Sequence, residues 1–456
     1  MHQQDHIYVL EKENGAFMTA EIAIMNKEAI ALAADSALTT NLGSTAKIFP
    51  SANKIFRLSK YHPVGIMVFG NATFMDMPWE ILIKTYRNKL CKKRFARLEE
   101  YAQDFIKFLG ENPLIKTSLN TEQKEFFMKK NILYYFSYIR DSIDKRVEQE
   151  IKNKGSIDEK EIKTIIKLIL KTHQDNWVDC DPLPDLPENL KIDIINKYKD
   201  HINGLVSEVF EELPLTKGQR GKLVELASLC MLNFSKNQSN PLNSGVVVAG
   251  FGEEDLFPSL ISYDIESMIE DKIKYKLNSL LKIDMKKTAL IVPFAQKEMV
   301  SAFMEGVDPY YRIIKDVAIE KTFKNYAKLI AIYLGLQSDK RKIRKMEKIG
   351  EVLLKNLTQD LKAIRGKNYS QPIVSIVSGL PKDELASMAE SLVSLTSFKR
   401  RVSPQSETVG GPIDVALISK GDGFIWVKRK HYFKLELNPQ FQDNYYKECR
   451  ESSGGE

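Results

Sequence analysis

The chain is poor in the residues that staple or metallate a fold. Its four cysteines, Cys91, Cys180, Cys230 and Cys449, are widely spaced and form no CxxC pair. That pattern excludes a disulfide framework and gives no zinc-ligand spacing. The six histidines, His2, His6, His62, His173, His201 and His431, also lack metal-ligand spacing. No GxxxxGKS/T and no GxGxxG stands after a strand, and Gly250-Phe251-Gly252 reads as a strand-end turn. Neither a metal nor a cofactor is therefore expected. No apolar run approaches the ~18–20 residues of a membrane span. The start, Met1-His2-Gln3-Gln4-Asp5, lacks the basic-then-apolar plan of a secretory signal. No membrane association is expected, and the expected location is the cytoplasm. A large excess of one charge is missing too: 67 basic residues face 60 acidic ones. The densest basic run, Lys340-Arg341-Lys342, is followed by Glu347 and Glu351. It reads as a solvated helix face, so no nucleic-acid partner is expected.

What the chain does have is length, ordinary globular composition and two changes of texture. Its 456 residues are 43% hydrophobic and 28% charged, enough for a large core and more than one unit. Residues 1–18 are polar and read as an extension or propeptide. From 19 to 72 short strands are expected at 19–25, 29–35, 54–59 and 64–69, with a loop through Gly43-Ser44 and a turn at His62-Pro63. A helix follows from near Pro78 to about Leu90. Residues 94–240 are dominated by lysine, glutamate, leucine and isoleucine, with apolar residues recurring at three and four. They read as a helical insertion, broken at Asp179-Cys180-Asp181-Pro182 and ending in helices over 188–212 and 216–234. The aromatic group Phe126, Phe127, Tyr134, Tyr135, Phe136 and Tyr138 reads as helical packing. Strands resume at 245–251, 259–265 and 288–293. Helices follow at 296–304, 309–335 and 339–363, a strand at 372–377, a helix at 382–398, and last strands at 412–419 and 423–431. Segregated strands and helices predict an α+β fold. The expected division is 1–18, 19–93, 94–240, 241–433 and a tail of 434–456.

The chemistry-bearing residues lie early. Met18-Thr19-Ala20-Glu21-Ile22-Ala23-Ile24 is a small-residue-rich strand with a turn at Asn26-Lys27-Glu28, and the return strand ends at Ala33-Ala34-Asp35-Ser36. A hairpin of this length can bring Thr19 and Asp35 together. Lys54 follows in Asn53-Lys54-Ile55-Phe56-Arg57-Leu58, and Gly70 stands in the turn Phe69-Gly70-Asn71-Ala72. Singly these are ordinary strand, turn and surface residues. As an ordered set they resemble the active site of the proteasome-type N-terminal nucleophile (Ntn) hydrolases. Val409-Gly410-Gly411-Pro412 resembles the family's late Gly-Gly segment, and Gly245 to Phe251, continuing to Leu260, resembles its third hairpin. The resemblance touches residues 19–93, 245–330 and 370–433. Two departures stand out. Ser406-Glu407-Thr408-Val409 replaces the family's aspartate and serine before the Gly-Gly turn, and Val292-Pro293-Phe294-Ala295-Gln296 lacks its other serine.

The resemblance implies a four-layer αββα sandwich carrying an inserted helical region. It also implies a threonine-type peptidase or amidohydrolase acting on a peptide or protein substrate. Thr19 would be the nucleophile, Asp35 the partner that orients Lys54, Lys54 the cation that eases loss of the hydroxyl proton, and Gly70 the oxyanion donor. A threonine hydroxyl needs a base. A free α-amine on Thr19, titrating near ~7.7–8.0, can supply one. Exposing it requires a self-cut after Met18, or initiation at Met18 followed by methionine removal. The resemblance further implies association of copies and leaves an ATPase partner open. The alternative is a scaffold or interaction protein of the same fold without catalysis.

Overall fold

The computed structural model describes residues 19–42, 45–49, 51–178, 180, 183, 188–234, 242–336, 338–403, 410–431 and 433–446. The expected extension 1–18, the Gly43-Ser44 loop, most of the 179–187 break and the 406–409 departure lie outside them. The chain opens with strands β1 (Ala20–Asn26) and β2 (Ala29–Ala34). A hairpin of β3 (Leu38–Leu42) and β4 (Thr45–Phe49) follows, then β5 (Ile55–Arg57), β6 (Val64–Gly70), and the small pair β7 (Thr73–Phe74) and β8 (Met77–Pro78). Helices α1 (Trp79–Leu90), α2 (Leu98–Glu111), α3 (Pro113–Ser118), α4 (Thr121–Lys154), α5 (Glu159–Trp177), α6 (Glu188–Phe210) and α7 (Lys217–Leu232) come next. Strands β9 (Ser244–Gly250), β10 (Ser259–Ile269), β11 (Lys272–Lys282) and β12 (Ala289–Ala295) precede α8 (Glu298–Glu305), α9 (Pro309–Tyr333), α10 (Lys340–Arg365), α11 (Gln371–Val377) and α12 (Lys382–Arg401). Strands β13 (Asp414–Ser419) and β14 (Gly423–Lys428) and a short helix α13 (Pro439–Tyr446) end the described chain.

The strands form two antiparallel five-stranded sheets, ordered β12-β1-β2-β13-β14 and β11-β10-β9-β6-β5. Side-chain alternation along β1 and β2 sends two apolar sets to opposite faces. Ala23, Met25, Ile30 and Leu32 meet Met67, Val247, Ala249 and Leu260 of the second sheet, so the sheets lie face to face. Ala20, Ile22, Ile24, Ala29, Ala31 and Ala33 pack instead under Leu385, Ala389, Leu392 and Val393 of α12. Small residues on this face let α12 sit close. The outer face of the second sheet is covered by α1 and α2, with Tyr86, Tyr101, Phe105 and Phe108 packed on Ile66, Val246 and Ile261.

Helices α4 to α7 build a separate core from Ile132, Tyr135, Phe136, Ile139, Ile143, Ile166, Leu170, Ile202, Phe210 and Leu223. Capping boxes at Asn120/Gln123, Asp158/Glu161 and Thr216/Gln219 start three of these helices. The apolar stripe of α4 therefore completes the chain's own core. This helical core is mounted on the far end of β10 and β11. There Ile269 enters it, and the buried Lys274 Nζ donates to Glu266 and to the Cys230 carbonyl, each at 2.6 Å. Gly70 pairs with Ser244 and Ser244 with Ile265, so Ile269 lies beyond the end of β6 that carries Gly70.

One expectation needs correction, and three features add to the others. Residues 372–377 form the helix α11, not a strand. The β-branched run Ile373, Val374 and Val377 looks strand-like, but it packs on the α12 side of the first sheet, with Pro372 in the helix's first turn. Strand β10 runs on to Ile269 and returns as β11, which the Lys-rich segment 272–282 did not suggest. Strands β3 and β4 flank the Gly43-Ser44 position. Helix α2, placed within the insertion by composition, packs on the second sheet.

Candidate functional site

Thr19 stands one residue before β1, and its face of the strand is shared by Glu21, Ala23 and Met25, the face turned toward the second sheet. Lys54 immediately precedes β5 in that second sheet, and its carbonyl accepts from Val68 N at 2.8 Å. Its side chain therefore crosses the gap between the sheets. Asp35 follows β2 directly. The Asp35 amide donates to the Ala20 carbonyl at 3.1 Å, and the Ala20 amide donates back to Asp35 Oδ1 at 3.0 Å. The hairpin thus fixes Asp35 against the start of β1.

Three of the four expected residues converge. Lys54 Nζ lies 2.5 Å from Asp35 Oδ1. Asp35 Oδ2 accepts from the Gly410 amide at 3.0 Å, and the Ser36 amide donates to the Gly410 carbonyl at 3.3 Å. The late glycine segment is thereby tied to the Asp35 end of the hairpin. Thr19, Asp35 and Lys54 are all buried, and Thr19 is only 7% exposed. The fourth residue, Gly70, ends β6 with φ +80°, a conformation that glycine adopts without strain. Among the described residues no hydrogen bond joins it to the other three.

The structure adds Glu21, which the sequence reading did not single out. Thr19 Oγ donates to Glu21 Oε2 at 3.0 Å. Glu21 Oε1 lies 3.1 Å from Lys54 Nζ, in ion-pair contact but off the direction of a hydrogen bond. Two carboxyl groups thus share one ammonium in a buried gap. Burial pushes the Glu21 carboxyl up to about 7; Lys54 opposes that rise and Asp35 adds to it. Burial alone would lower Lys54, but Glu21 and Asp35 outweigh it and hold the lysine above its usual value. Its available signal was one isolated acid, two residues from Thr19, in a strand otherwise apolar and small.

On the far side, β12 pairs with β1 so that Ala20 faces Ala295. The Gln296 amide donates to the Thr19 carbonyl at 3.3 Å, and Ala295 has φ +54°. This is the segment that lacks the serine of the resembled family. Among the described residues, no group of three or more histidine, cysteine, aspartate or glutamate side chains could hold a metal ion. No described helix is long and apolar enough to cross a membrane. The arrangement can hold a threonine hydroxyl against a carboxylate, with a fixed ammonium beside both. No family model matches the chain, and no curated protein matches its sequence.

Proposed function

We propose that the chain is a proteasome-type N-terminal threonine hydrolase that cleaves peptide or amide bonds by acyl transfer through Thr19. The observation that carries this reading is the convergence of Thr19, Lys54 and Asp35 in one buried cluster at the head of β1. The order helix, sheet, sheet, helix supports the αββα sandwich that goes with it. In this reading Lys54 favours loss of the Thr19 hydroxyl proton, and Asp35 keeps Lys54 charged and aimed. The Gly70 amide serves the developing oxyanion, an interaction worth ~2.7–4 kcal/mol where such donors have been removed from other enzymes. In this reading the helical core mounted on β10 and β11 serves as a cap over the site or as part of a contact between copies. Association of copies belongs to the same reading. Exposed apolar residues on α9 and α10, among them Tyr326, Leu329, Tyr333, Val352 and Leu353, are surfaces available for it.

The test has two parts. N-terminal sequencing of protein made from its natural locus should find Thr19 first; finding Met1 or His2 intact would remove the free amine. An electrophilic peptide probe should then label Thr19. The rival reading is a non-catalytic scaffold of the same fold, and the burial of Thr19 favours it. Absence of labelling on a chain that begins at Thr19 would decide for the scaffold.

A further inference from the structure

We propose that Glu21 is the general base of this site, taking the Thr19 hydroxyl proton directly, so that the nucleophile is activated whether or not the Thr19 amine is free. The inference rests on the reading of Thr19 as nucleophile and deepens it. Three observations carry it. The Glu21 carboxylate already accepts the hydroxyl's hydrogen bond at 3.0 Å, within the reach a general base needs. Glu21 is not required to neutralise Lys54, because Asp35 does so at 2.5 Å. It is also a costly residue to keep, a 2% exposed acid in a strand buried on both faces. Lys54 and Asp35 are the ionisable groups that face it. Its carboxyl titrates at about 7, where acceptor and donor forms coexist near neutral pH.

The steps balance without a co-reactant other than water. The Thr19 oxygen attacks the acyl carbon while its proton passes to Glu21 Oε2. The tetrahedral adduct collapses, the C–N bond breaks, and Glu21 returns the proton to the leaving amine. Water then gives a proton to Glu21 and attacks the ester. The C–Oγ bond breaks, and Glu21 restores the hydrogen to Thr19. If the amine were the base, the same transfer would be impossible while Thr19 stands in a peptide bond.

The experiment acylates the protein with a peptide β-lactone and reads the Thr19 adduct by mass spectrometry from pH 5 to pH 9. The parent should label at Thr19 with a rate that rises through neutral pH. Glu21→Gln keeps the shape, and it should label ~10²–10⁴-fold more slowly with the rising limb gone. Thr19→Ala fixes the background. If Glu21→Gln does not fold, acetylation of the Thr19 amine in the parent decides. Retained labelling with the same pH dependence supports Glu21, and lost labelling assigns the base to the amine. A labelled parent with an unmoved Glu21→Gln profile overturns this inference and leaves the proposed function standing. A parent that never labels at Thr19 overturns both.

Discussion

Replacing Glu21 with glutamine should change how stability depends on pH, whatever the site does chemically. In the folded chain the Glu21 carboxyl is raised from 4.5 to about 7, chiefly by burial. Between those values the folded state holds a proton on Glu21 that the unfolded chain has released. Stability must then fall as pH rises across that window. The contribution is fully present below 4.5 and is lost as pH passes through about 7. At 1.36 kcal/mol per pH unit the loss is roughly 3 kcal/mol. Glutamine resembles the protonated acid and does not titrate. Parent and Glu21→Gln should therefore match at pH 4.5, and the variant should be the more stable by ~3 kcal/mol at pH 8. Urea denaturation of both proteins from pH 4.5 to 8 gives this directly, because taking the difference removes every other titrating group. Curves that stay parallel within ~0.5 kcal/mol would show that Glu21 keeps an ordinary carboxyl titration in the folded chain, with Lys54 offsetting its burial in full. The raised titration of Glu21 would then be wrong.

Three further outcomes follow from the site's geometry and a fourth from the proposed assembly. Asp35→Asn breaks a fully buried ion pair and weakens the acceptor used by the Ala20 and Gly410 amides. It should cost ~3–5 kcal/mol, and a denaturation midpoint equal to the parent's would refute the pairing. Thr19→Ala should abolish probe labelling while costing ~1–3 kcal/mol of stability, because Glu21 loses a buried donor. Lys54→Arg should not restore what Lys54→Ala loses, because a planar guanidinium cannot replace an ammonium held between two carboxylates; parental turnover in the arginine variant would contradict this. Light scattering across a range of concentrations should show a species larger than the 52.2 kDa chain. A constant 52.2 kDa particle would remove the assembly and make the helical core an intramolecular lid or a partner-binding surface instead.

Much of the strand order was legible because sheet strands buried on both faces leave a strong mark. Ala29 to Ala34 and Gly245 to Gly250 are small or aliphatic throughout, and turn residues bound them. The long amphipathic helices α4 and α5 were legible from their three-and-four spacing. Misreadings occurred where tertiary contact overrode local preference. In α11, Ile373, Val374 and Val377 have strand propensity, yet their fixed partners lie on one side only. For β11 the sequence reading gives no element, although Lys272, Lys274 and Lys276 alternate with the period of a strand. The strand is held by pairing with β10 and by the buried Lys274–Glu266 contact.

The candidate site shows the same limit at the scale of single atoms. Order and spacing could align Thr19 with Asp35, because a hairpin's register is a local property. Lys54 could be placed only by its position in a series, since it reaches the site from the other sheet. Glu21 was passed over because a lone acid in a strand reads as a solvent-facing position. That reading fails here for a definite reason. Both faces of β1 are covered, one by α12 and the other by the second sheet, so no position on the strand faces water. Once both faces are closed, an acid in β1 must either lose its charge or find a cation. Its place on the face shared with Thr19, opposite Lys54, gives it the cation and a hydroxyl together. The same closure buries Thr19. A probe can therefore reach the hydroxyl only if the groups packed against the head of β1 yield.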